Sequence, residues 1–235
     1  MNAVDLNADL GEGYGNDAAL MEIVTSANVA CGWHAGDEQT MRDVVRLALH
    51  FGVAIGAHPS YPDRANFGRS PMPRSADDVY SDVSEQIRIL AAVAAAEGGA
   101  LHHVKAHGAL YNAAARDRVV AGAIARAVRD FDSTLLVYGL AGSEITGACR
   151  DLGLRAVEEI FADRRYTIAG ALVPREEPGA LIHDAKESVA QTLSMIRRGI
   201  GETVCVHGDT PQAVALARAL RSHLATAGIA LSRAG

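Results

Sequence analysis

Residues 4–10 read Val4-Asp5-Leu6-Asn7-Ala8-Asp9-Leu10. Apolar and polar side chains alternate without a break, the two-residue period of an extended strand. Val4, Leu6, Ala8 and Leu10 share one face; Asp5, Asn7 and Asp9 share the other. This pattern decides between two architectures. Helical stretches separate the apolar runs along the chain, so the strands are expected to be parallel, with right-handed crossovers. In an open parallel sheet, helices cover both faces and each strand reads apolar throughout. A strand with one polar face needs a polar place to put it. A closed barrel whose interior opens into a pocket at its upper end provides one.

Two further segments repeat the pattern. His103, Lys105 and His107 alternate with Val104 and Ala106, and Cys205, His207 and Asp209 alternate with Val204, Val206 and Gly208. Working outward, strands are expected at 4–9, 26–31, 53–57, 101–106, 134–138, 156–161 and 203–207. Helices are expected at 17–23, 38–51, 76–98, 113–131, 142–152, 183–198 and 211–227. Helix starts carry capping signals, with Ser75 three residues before Asp78 and Asp209-Thr210-Pro211 ahead of the last helix. The expected fold class is α/β: a TIM-like, seven-stranded (β/α) barrel forming one domain over 1–235.

The 235 residues are 49% hydrophobic with a formal net charge of -6, enough for a large core in one domain. No basic run offers a nucleic-acid surface, and the acidic balance opposes anionic membranes. No apolar run reaches the roughly 20 residues needed to span a bilayer. The opening MNAVDLNADLGEG lacks the basic head and apolar body of a signal peptide. Cys31, Cys149 and Cys205 form no disulfide framework, so reduced thiols and a cytoplasmic location are expected.

Barrel enzymes of this class place their chemistry at the C-terminal strand ends. Here nearly every strand ends in reactive side chains: Asp9 and Glu12; Asn28 and His34; His58; Lys105 and His107; Glu159, Asp163 and Arg164; His207 and Asp209. His50, His183 and His223 fall in helices and read as surface residues. Parity turns His102 away from the barrel, and sets Cys31 opposite Asn28 as a buried thiol rather than a nucleophile. Asp9, His34, His58, His107 and His207 are good ligand types, but their spacings match no compact zinc motif, and Lys105 on the face of His107 opposes a cation. A divalent metal is left open, with its ligands unknown. The glycines of Leu10–Gly15 fail the dinucleotide register because Asn16 stands at the third glycine position, and no Walker loop occurs. A nucleotide phosphate would need Arg64, Arg69, Arg164, Arg175 and Lys105.

DLNADLGEGYG, SANVACGWHAGD, GAHPSYPD, HVKAHGALYN, FADRRY, LVPR and CVHGDTP occur here in this order. Together they resemble the LamB/YcsF family, the A subunit of the bacterial ATP-dependent 5-oxoprolinase, over essentially the whole chain. The resemblance implies a barrel of the glycoside hydrolase/deacetylase-like superfamily. It also implies cleavage of 5-oxo-L-proline to L-glutamate with ATP as co-substrate, and partner subunits B and C; which subunit binds ATP, or whether the site is shared among them, stays open. The chain departs from the family pattern at Ala106, where proline is usual, at Trp33, where phenylalanine is usual, and at Ser70, where an arginine is missing. The last departure puts a phosphate contact at Ser70 in doubt.

For that chemistry the expected catalytic set is Asp9, His34, His58, Lys105, His107, His207 and Asp209. Asp9 is the preferred base, His34 and His207 are proton shuttles, and His58 or His107 polarises the lactam oxygen. Glu12, Asn28, Arg69, Glu159, Asp163 and Arg164 are the expected substrate and phosphate contacts. Two other classes stay open: a stand-alone metal-dependent deacetylase or amidohydrolase, and a non-catalytic lactam-binding subunit. The apolar helix over 87–97 reads either as core or as a homo-oligomer surface.

Overall fold

The computed structural model describes residues 3–210 and 212–235. Seven parallel strands close on themselves: β1 (Ala3–Leu10), β2 (Ser26–Ala30), β3 (Ala54–His58), β4 (Leu101–Lys105), β5 (Leu136–Leu140), β6 (Ala156–Phe161) and β7 (Thr203–Val206) pair in sequence order, and β1 joins both β2 and β7. A two-residue strand, β8 (Ala230–Leu231), adds to the start of β1 outside the ring. It is too short to leave a periodic signal in the sequence.

The outer layer holds α1 (Asp17–Met21), α2 (Glu38–Phe51), α3 (Ala76–Ala96), α4 (Gly108–Ala114), α5 (Arg118–Phe131), α6 (Glu144–Asp151), α7 (Ala185–Arg197) and α8 (Ala213–Thr226). Their starts follow local chemistry. Ser75 and Asp78 form a reciprocal capping box at α3, and the Asp184 side chain accepts the Glu187 amide at α7. The single helix expected over 113–131 is two helices, because Asp117 accepts the amides of Val119 and Val120 and restarts the chain as α5. The expected start of the last helix at Pro211 lies outside the described residues; α8 runs from Ala213. The fifth strand begins two residues later than expected, since Asp132 draws the Thr134 amide and hydroxyl into a turn. Ile87, Leu90, Val93 and Ala94 of α3 are buried, so the 87–97 face is core. Among the described residues no helix is long and apolar enough to cross a membrane.

Inside the ring, polar side chains stack in layers. At the bottom the Asp5 carboxylate accepts from the hydroxyls of Thr25, Ser26 and Thr203. Above it, Asn28 donates to Asn7 and Asp9, and its side-chain oxygen meets His103 Nε2 at 2.7 Å. Each buried polar atom that finds such a partner avoids a desolvation cost of about 1–3 kcal/mol. Gly56 makes room for His103: a Cβ there would lie 2.1 Å from Nε2. The ladder slips between Ile55 and Gly56, pairing Ile55 with Leu101 but Gly56 with His103. The slip leaves His102 without a partner on β3 and corrects the parity expectation. His102 stands against His103, its Nδ1 3.4 Å from that of its neighbour, in the field of Asp5 and Arg233 at the barrel's lower mouth.

Candidate active site

Strand direction brings the reactive side chains to one rim, above a cavity of about 690 Å³. At its floor the Lys105 ammonium, 2% exposed, lies 3.0 Å from both Asp9 Oδ1 and Glu159 Oε1. It also donates to Asn7 Oδ1 and Cys205 Sγ. Burial works against this charge, but its neighbours, Asp9 first among them, together outweigh it and hold the ammonium well above its ordinary range. Burial likewise pushes Asp9 up, yet His58 and Lys105 together hold it well below the usual carboxylate range. Lys105 is expected from the sequence to meet a substrate anion; the protein itself supplies two.

Beside Asp9 stands a cluster from four strand ends: Glu12, His34, His58 and His107. Glu12 Oε1 lies 3.2 Å from His34 Nε2, 3.3 Å from His107 Nδ1 and 3.9 Å from His58 Nε2. The His34 and His107 rings stack at 3.8 Å, 4° from parallel. His58 Nδ1 faces the Lys105 carbonyl at 2.7 Å, and His107 Nε2 faces the Phe67 carbonyl at 2.9 Å. Phe67 adopts a left-handed φ of 57°, a costly backbone state for an aromatic residue, and so turns its carbonyl toward His107. Burial and the neighbouring His58 push His34 down to about 2, so it is neutral at ordinary pH. Burial and then Asp9 push Glu12 well above the usual carboxylate range.

His207 is held differently. Its Nδ1 lies 3.0 Å from both oxygens of Asp163, and its amide also donates to that carboxylate. Burial raises Asp163, but the His207 contacts outweigh it and keep the carboxyl below its usual value. This fixes the Nδ1–H tautomer and leaves Nε2 toward the cavity, 4.0 Å from Asp9 Oδ2.

The cavity wall is cationic. Arg69 pairs with Asp209 at 2.8 Å, and Arg175 pairs with the same oxygen. Arg164 donates to the Val173 carbonyl, and burial lowers its guanidinium from the usual range. The residues expected at the site therefore separate by depth. Asp9, Glu12, His58, Lys105, His107, His207, Arg69 and Arg164 line the cavity. Asn28 and Glu159 are fully buried beneath it, so their expected substrate contact is corrected to support of Asp9 and Lys105. Asp163 serves His207 rather than a ligand. His34 packs behind His107, and Asp209 is neutralised by two arginines. Arg74 and Arg116 also reach the wall. They lie away from strand ends, where sequence position carries no signal. Cys31 is a buried thiol bonded to the Val29 carbonyl, its pKa pushed up to about 12 by burial.

Comparison with known proteins fits this geometry. A lactam utilization protein from Thermus thermophilus is 43% identical, with a TM-score of 0.91 over 98% of this chain and 99% of that one. A candidate cellobiose-phosphate cleavage protein from Enterococcus faecalis shares 15% identity and a TM-score of 0.62, covering 97% and 96% of the two chains. A family 4 carbohydrate esterase from Streptomyces lividans shares 14% identity and a TM-score of 0.51, covering 99% and 93%. The latter two share the fold. The family description that matches residues 4–235 is that of LamB/YcsF, and the chain belongs to the LamB/YcsF family.

Proposed function

We propose that this chain is the A subunit of an ATP-dependent 5-oxoprolinase, opening the lactam of 5-oxo-L-proline to give L-glutamate. The observation that carries the reading is the pairing of an arginine-walled cavity with a carboxylate–histidine floor. A small anionic amide needs both. Arg69, Arg164 and Arg175 suit a carboxylate or phosphate, since guanidinium groups match those planar oxygens. The floor suits proton transfer.

An unstrained lactam is a poor electrophile, and its opening needs driving. Transfer of the ATP γ-phosphoryl group to the lactam oxygen releases ADP and makes the ring carbon electrophilic. Water adds to that carbon, giving a proton to His207 Nε2. The ring nitrogen takes a proton and leaves as the amine, and the resulting acyl phosphate is hydrolysed by a second water to glutamate and phosphate. Asp9, held ionised, is a weak proton acceptor; it orients water and stabilises a protonated His207. His34, held neutral, shapes the cluster rather than shuttling protons. Subunits B and C contribute to ATP binding.

The Glu12–His34–His58–His107 cluster favours a second reading, a stand-alone metal-dependent amidohydrolase. One assay separates them: the chain is mixed with its B and C partners and glutamate is measured from 5-oxoproline, with and without ATP. Glutamate that needs both ATP and the partners supports the proposal. Turnover by the chain alone without ATP, or no glutamate from the complete mixture, overturns it.

A further inference from the structure

Glu12 Oε1, His34 Nε2, His58 Nε2 and His107 Nδ1 all lie within 4.8 Å of one another. Hydrogen-bond geometry places the protons of two of these rings. His58 Nδ1 and His107 Nε2 each face a backbone carbonyl, which only accepts, so those nitrogens carry the hydrogens. The opposite nitrogens, His58 Nε2 and His107 Nδ1, then meet lone pair to lone pair at 3.0 Å. Two neutral rings repel in that arrangement, and a proton or a metal ion between the two nitrogens relieves it.

We propose that Glu12, His34, His58 and His107 bind one divalent transition-metal ion of the zinc, cobalt or manganese type. Four donors at about 2.1 Å from a tetrahedral centre lie about 3.4 Å apart. The pairs at 3.0, 3.2 and 3.3 Å approach that spacing, His58 Nε2 and Glu12 Oε1 at 3.9 Å must close on the ion, and the His34 ring must tilt out of its stack on His107 to aim Nε2 at it. Three imidazoles and one carboxylate suit a borderline ion rather than magnesium or calcium, which prefer oxygen donors. The two backbone carbonyls behind His58 and His107 orient the rings as remote partners of metal-bound imidazoles do. A second donor group, Asp9 with Cys205 and His207, carries less weight, because the Lys105 ammonium already lies 3.0 Å from both Asp9 Oδ1 and Cys205 Sγ.

The test uses the full chain, stripped with a chelator, reloaded separately with Zn²⁺, Co²⁺ or Mn²⁺ and passed through gel filtration. Bound metal is counted by elemental analysis, and cobalt coordination is read from visible absorption. The expected result is one equivalent per chain, with a cobalt spectrum showing nitrogen ligation. The double variant His58→Ala/His107→Ala and the single variant Glu12→Gln should each weaken binding by roughly 100-fold or more. Cys205→Ser and His223→Asn should not. Circular dichroism checks each fold; if the double variant does not fold, Glu12→Gln decides. Wild-type protein that retains none of the three metals overturns the proposal. So does retention by the folded cluster variants, or loss on Cys205→Ser, which would move the ion to the other group. Metal counting needs no substrate, so failure here is distinct from failure of the lactam reading.

Discussion

Two residues show how far side-chain chemistry sets the site. Asp163 accepts both the ring and the amide of His207. Asp163→Asn can donate to Nδ1 and so favour the wrong tautomer, placing a hydrogen on Nε2. Turnover should fall by roughly 100- to 1,000-fold, with little change in KM; unchanged kcat would remove His207 as the proton carrier. Gly56 sets packing rather than chemistry. An alanine Cβ there would stand 2.1 Å from the buried His103 ring, which is also held by Asn28, by His102 and by the stacked Tyr138 ring at 4.1 Å. Gly56→Ala should cost about 2–3 kcal/mol or more of stability, read from urea midpoints; a wild-type midpoint would mean that His103 has room to move. At this scale the sequence showed which side chains face inward, because parity along β1, β4 and β7 is written in the alternation. It did not show depth. Asn28 and Glu159 obey the same parity as Asp9 but sit a layer lower, and height within a barrel depends on strand stagger, which no single strand records.

Elements were legible where local signals are strong. The Ser75–Asp78 capping box was visible as a spacing and forms as expected. Ser75→Ala should cost about 1 kcal/mol, lowering the thermal midpoint by a few degrees; a neutral result would mean that packing against α5 alone holds the first turn of α3. The break between α4 and α5 was not legible, since alanine-rich sequence runs through it and only Asp117 marks the restart. His102 was misplaced for a related reason. Alternation predicts direction only while the ladder stays in register, and the slip at Ile55 and Gly56 resets it.

The whole molecule couples stability to pH through its interior. Burial holds His34 down to about 2 and holds His103 and His107 well below their ordinary value. Unfolding returns each to about 6.5. The unfolded chain therefore binds protons that the folded chain excludes, and stability that is complete above about pH 6.5 declines as pH falls. His34 accounts for about 2 kcal/mol of loss by pH 5, and His103 and His107 add to it in the same direction. Glu12 acts in the opposite sense. Burial raises it, so the folded chain keeps a proton that the unfolded chain releases, which offsets part of the histidine loss. The metal-stripped protein should lose stability as pH falls from 6.5 to 5, measured by denaturant titration; a flat profile would mean these rings are not held neutral.

The clamp around Lys105 has a consequence for experiment. Lys105 and Lys186 are the two lysines of the sequence, and Lys186 is exposed on α7 while Lys105 is 2% exposed at the barrel centre. An amine-reactive label will therefore mark Lys186 at once. At the floor of the cavity Lys105 reacts only when Asp9 and Glu159 release it as the free amine, so mass-spectrometric labelling at that position becomes a clock for loosening of the clamp, with Lys186 as its internal standard.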